Sequence, residues 1–182
     1  EVETGVVFRN PDAHITSRHA YFPSAIPLGD GEVLVSYNQG EAFEAEDLRV
    51  YLSRSRDGGR TWSAEGRLGV PEVPAGVSEG TKLVRVGDGT IVGLLQRHDR
   101  RELPGEGLTH PETLGFVPTR FELTTSTDGG RTWSEPSRVE PPIEGPEWEL
   151  CAPITELSDG RWLLISSTWP DWNGRLPNGH QL

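Results

Sequence analysis

The 182-residue chain carries a formal net charge of −11, with 34% hydrophobic residues, 22 glycines and 15 prolines. That length suits one ordinary core, and the acidity argues against nucleic acid and anionic membranes as partners. No stretch approaches the length of a membrane span. Abundant Gly and Pro without sustained helical periodicity predict an all-β fold of short strands and tight turns. The single cysteine, Cys151, excludes an internal disulfide framework.

In chain order, residues 4–10 (Val6-Val7-Phe8-Arg9 at their centre) read as a short outer strand. Apolar runs then flank Asp30-Gly31, Asp88-Gly89 and Asp159-Gly160, each a hairpin signature. After the first two hairpins comes a copy of Ser-x-Asp-Gly-Gly-Arg-Thr-Trp, at Ser55–Trp62 and Ser126–Trp133. The repeating unit is therefore strand, Asp-Gly turn, strand, loop, strand, Ser-x-Asp turn, strand, which describes a four-stranded propeller blade. Asp30 precedes Asp57 by 27 residues and Asp88 precedes Asp128 by 40, so about 13 extra residues fall between Gln96 and Thr119. The same spacing from Asp159 places a third motif at position 186, beyond Leu182.

The expected boundaries are blade 1 over about 19–70, blade 2 over about 77–140 and the start of blade 3 over about 147–182, with 4–10 closing the last blade. Two and a half blades leave strand edges open, so the remaining blades of a parent propeller or a second copy of the chain are expected partners. The sequence opens at Glu1 without an initiator Met or a signal segment, as a processed chain or a fragment would. Either is compatible with a secreted or cell-surface location.

Within the motif, the Asp side chain serves as an acceptor for its own turn, so Asp57 and Asp128 are read as fold devices rather than chemistry. Strand direction puts these turns on one face and the starts of first strands on the other, where ligand groups should converge. Three clusters qualify there: Arg18, His19 and Tyr21 with Glu41, Glu44 and Asp47; Glu79 and Lys82 with Arg97-His98-Asp99-Arg100-Arg101; and Trp148-Glu149 with Trp169 and Trp172. Glu44, Asp47, Glu79 and Glu149 form the candidate acid/base pool, because glycoside hydrolysis needs a proton donor and a second nucleophilic or basic group. Arg18, His19, Tyr21, Arg97, His98, Asp99 and Trp148 are the candidate binding groups, with the arginines supplying a local basic patch. No phosphate-cradling loop, Ser-His-Asp pattern or zinc spacing occurs, so no metal or organic cofactor is expected.

The Ser-x-Asp-Gly-Gly motif is the Asp-box, and the chain resembles the sialidase (neuraminidase) superfamily of Asp-box propellers from about Phe8 to Trp172. The resemblance implies a six-bladed propeller, of which this chain covers about two and a half blades. It also implies a sialidase-like glycoside hydrolase acting on a terminal, acidic or other, sugar of a glycan. The alternative is a non-catalytic propeller that binds glycan or protein on the same face. Sialidases usually carry Phe/Tyr-Arg-x-Pro at the first strand; the matching stretch here is Ala20-Tyr21-Phe22-Pro23, with Tyr21 in place of the Arg.

Overall fold

The computed structural model describes residues 3–69, 72–142 and 147–175. Among them there is no helix, and the strands form antiparallel sheets. The first sheet has the order β1 (His19–Gly29), β2 (Glu32–Gly40), β3 (Arg49–Ser55) and β4 (Ser63–Arg67). The second repeats it with β5 (Val77–Arg85), β6 (Ile91–Asp99), β7 (Thr119–Ser126) and β8 (Ser137–Val139). A third unit is one interrupted hairpin: β9 (Glu147–Leu150) pairs with β12 (Ser166–Trp169), and β10 (Thr155–Glu156) with β11 (Trp162–Leu163). The chain is thus all-β, part of a propeller built from consecutive four-stranded blades. Residues 176–182, the end of the expected third blade, lie outside the described residues. Residues 4–10 form no strand; Phe8 instead rests on Tyr37 with ring centroids 5.8 Å apart.

The continuous apolar run in β6 has a direct cause, since both faces of this strand are covered. Ile91 and Leu95 join Ile26, Leu34, Val50, Leu52, Leu68 and Leu83 between the first two sheets. Val92 and Leu94 point the other way, into a cluster with Val86, Phe121, Trp148 and Ile154. Polar stitches add register between the layers. Asn38 Nδ2 on β2 donates to the Glu79 carbonyl on β5 at 2.5 Å. Gln96, at the same place in the next repeat, donates to the Trp148 carbonyl at 2.5 Å and accepts from Leu150 N at 3.0 Å.

The two Ser-x-Asp turns have the same internal wiring. Asp57 Oδ1 accepts from Arg60 N (3.1 Å) and Thr61 N (2.9 Å), and Oδ2 accepts from Thr61 Oγ1 at 2.6 Å. Asp128 accepts from Arg131 N, Thr132 N and Thr132 Oγ1 at 3.0, 2.9 and 2.7 Å. The second turn also packs on the first sheet. Gly130 has φ +85°, and a Cβ there would meet Leu34 Cδ2 at 2.6 Å. Buried Arg54 donates to the Gly129 carbonyl at 2.8 Å while pairing with Glu32 and Glu65.

The hydrogen bonds from Thr61, and then from Ser55, hold the Asp57 carboxyl down at about 2, and the equivalent bonds hold Asp128 below the usual carboxylate range. A depressed carboxylate contributes stability that is present above its unfolded pKa and lost as pH falls through the folded one. Asp57→Asn and Asp128→Asn are therefore expected to lower the melting temperature at neutral pH. The gap from the unchanged chain should narrow as the medium is acidified toward pH ~2, where thermal melts would show it.

Candidate functional site

The strands place a cavity at the end opposite the Ser-x-Asp turns. In the first sheet the turn end is marked by the Val33–Ser55 pair and the other end by Gln39–Arg49. The cavity, about 580 Å³, lies among the latter ends and is bordered by residues of all three units. Its floor includes Gly80 and Lys82 of β5, where Gly80 leaves space between Asn38 and His98. One wall carries Glu149 and Trp169 from the β9–β12 hairpin. Another carries Leu108, Thr109 and Phe116 of the 100–118 loop.

That loop is a built wall. Val117 N donates to Leu108 O at 3.0 Å, and Leu108, Phe116 and Val117 form a core of their own with Leu103, Trp169 and Trp172. Glu44 Oε2 accepts from Leu108 N at 2.8 Å, tying the loop to the first blade. Arg100 completes the tie, donating to Ser78 Oγ at 3.0 Å and to the Glu44 carbonyl at 2.6 Å.

The rim is aromatic. Phe22 and Phe43 are 41% and 54% exposed, large for apolar rings, with centroids 5.0 Å apart. Tyr21 meets Phe43 edge-on at 5.7 Å, and His19 lies 6.0 Å from Tyr21. Phe22 has φ +52° at a register shift between Tyr21 and Ser24. A β-strand residue with a Cβ resists that conformation, so the bulge aims the ring at the cavity mouth against backbone preference.

Of the groups singled out from the sequence, Glu44, Glu79, Lys82, His98, Glu149 and Trp169 border the cavity, and Tyr21 touches its aromatic rim. Glu149 is half-buried, its Oε2 accepting from Trp169 Nε1 at 2.9 Å and Ser167 Oγ at 3.2 Å. The Glu79 carboxylate is otherwise engaged: Oε1 takes Arg97, and Oε2 takes Val50 N at 2.9 Å and Arg67 at 3.2 Å. His98 is buried with Nδ1 unpartnered; burial, reinforced by the Arg100 charge, pushes its imidazole down to about 3.

The remaining candidates sit elsewhere. Arg97 is buried between Glu79 and Glu122, and Arg101 is folded onto Asp99, so the expected basic patch is consumed by internal pairing. Trp148 is in the core cluster between the second and third units, with no face left for a sugar. Asp47 is exposed and accepts from Glu41 N at 3.0 Å, closing its own loop. Arg18 and His19 border a separate shallow depression formed by the 8–20 segment. Phe22, Phe43, Asn38, Gly80 and Phe116 were not singled out. Asn38 had a signal: like Gln96, it stands eight residues after the hairpin Asp. No group of three or more His, Cys, Asp and Glu among the described residues is placed to hold a metal ion.

No family model matches. A curated sialidase from Bacteroides fragilis is 29% identical over 138 residues, covering 69% of this chain and 25% of its own length. A curated sialidase from Micromonospora viridifaciens is 27% identical over 155 residues, covering 78% of this chain and 23% of its own. Over most of its length the chain is thus similar to curated sialidases. It spans about a quarter of the length of these curated relatives. Among solved structures, the chain matches a protein of unknown function from Dyadobacter fermentans with a TM-score of 0.67 and 22% identity, over 91% of the chain and 50% of the other. It also matches a Hadza microbial sialidase at 0.61 and 19%, over 85% of the chain and 33% of the other.

Proposed function

We propose that the cavity is the sugar site of a sialidase-like glycoside hydrolase that acts on a terminal sugar of a glycan, on the face opposite the Ser-x-Asp turns. The observation that carries this reading is Glu149, a half-buried carboxylate at the wall of a cavity rimmed by Phe22, Phe43 and Trp169. Aromatic faces suit the apolar faces of sugar rings, and a positioned carboxyl group can protonate a leaving oxygen. Trp169 and Ser167 orient that carboxylate. The Glu44 carboxylate, tied to Leu108, acts as a positioning residue for the loop wall.

A screen with aryl glycosides of different terminal sugars tests the proposal. Glu149→Gln is expected to lower turnover on the order of 10²-fold or more while sugar binding persists. Turnover that survives the substitution would remove Glu149 from the chemistry.

A second reading, a non-catalytic propeller that binds glycan or protein, draws on one observation: among the described residues no arginine borders the cavity, and Tyr21 occupies the position where sialidases usually carry one. Sugar binding without turnover of any glycoside would favour it.

A further inference from the structure

Lys82 is the sole lysine in the sequence, against sixteen arginines. It is half-buried on β5, two residues from Gly80 and on the same face, and it borders the cavity. The nearby guanidinium groups each have partners within the chain, although Arg67 Nε and Arg100 Nε have none of their own. Arg97 pairs with Glu79 and Glu122, Arg67 with Glu79, and Arg120 with Glu122, while Arg100 holds Ser78 and Glu44. The Lys82 side chain makes no ion pair or hydrogen bond among the described residues. Glu149, on the same cavity, is held by Trp169 and Ser167 instead. His98, neutral through burial, adds no positive charge.

A half-buried lysine with no direct ion-pair partner can be completed by a group from solution. A compact oxyanion does so, since charge-assisted hydrogen bonds from an ammonium are strong where water is partly excluded. We propose that Lys82 is the specificity-determining residue of the cavity, gripping a carboxylate or sulfate group of its ligand through one ammonium rather than through a guanidinium fork. This rests on the glycan reading above for the rest of the ligand. Lys82 acts as a point charge, so it selects for negative charge and tolerates either oxyanion geometry.

The single lysine makes the test direct. The protein is treated with an amine-acylating reagent, and the peptide bearing Lys82 is followed by mass. Three probes compete: a hexuronic acid, the matching neutral hexose and inorganic sulfate. The acid and sulfate are expected to slow acylation of Lys82 several-fold, and the neutral sugar to leave it unchanged. In parallel, Lys82→Met should weaken binding of the acid about tenfold, with Lys82→Arg recovering most of it. Equal protection by neutral and acidic sugars, or full affinity in Lys82→Met, overturns the role of Lys82 and leaves the glycan reading standing. Protection by sulfate alone upholds the anion site and sinks the glycan reading. Protection by none of the three overturns both.

Discussion

Arg97→Ala is expected to destabilise the chain by about 3–5 kcal/mol, a large share of the ~5–15 kcal/mol that holds an ordinary domain together. Arg97 is 2% exposed and lies between Glu79, itself 2% exposed, and Glu122. Truncating it leaves the Glu79 carboxylate buried, with only Arg67 at 3.2 Å and the Val50 N–H for company. Because Glu79 also accepts from β3 of the preceding blade, the loss falls on the junction between two blades. Urea denaturation of the single variant, compared with an Arg97→Met/Glu79→Leu double variant, measures the effect. The double variant removes both charges and should recover most of the loss. A shift below ~1 kcal/mol in Arg97→Ala would show that the pair matters little.

The second large effect is a pH dependence set by His98. Its imidazole is held down to about 3 by burial and the Arg100 charge, whereas an unfolded histidine titrates near ~6.5. Between these values the unfolded chain binds the extra proton, so stability falls as pH falls, by about 1.4 kcal/mol per pH unit. From pH ~6.5 to ~5, before most carboxylates titrate, the expected loss is about 2 kcal/mol. His98→Phe keeps an aromatic ring against Phe116, removes the unpartnered Nδ1 and should flatten the profile over that interval. Parallel slopes for the two proteins in chemical denaturation would assign the pH dependence to other groups.

The blade plan was legible because it is written in local chemistry. Asp-Gly hairpins and Ser-x-Asp-Gly-Gly turns carry their own hydrogen-bond acceptors and left-handed glycines, so the sequence announces them without any tertiary partner. The face that holds the cavity could be inferred in the same way, from strand direction. The site residues were harder to read because a charged side chain shows its type in sequence but not its commitments. Arg97, Arg100 and Arg101 look like a basic patch until their partners Glu79, Ser78 and Asp99 are seen to occupy them. Trp148 looks like a platform until Val86, Leu94 and Phe121 cover it. Phe22 was invisible for the opposite reason, since its aim depends on a bulge that no neighbouring residue type specifies.

The amides of Asn38 and Gln96 grasp main-chain groups of the following unit, and every sequence offers a main-chain carbonyl at that position. These two contacts of the joint between successive units are therefore indifferent to the side chains of whatever follows, unlike the Glu79 contact and the apolar layer beside them. A gene segment encoding one such unit could be copied in tandem, and each descendant would dock at the old angle from the first generation, leaving its cavity-facing side chains free to diverge.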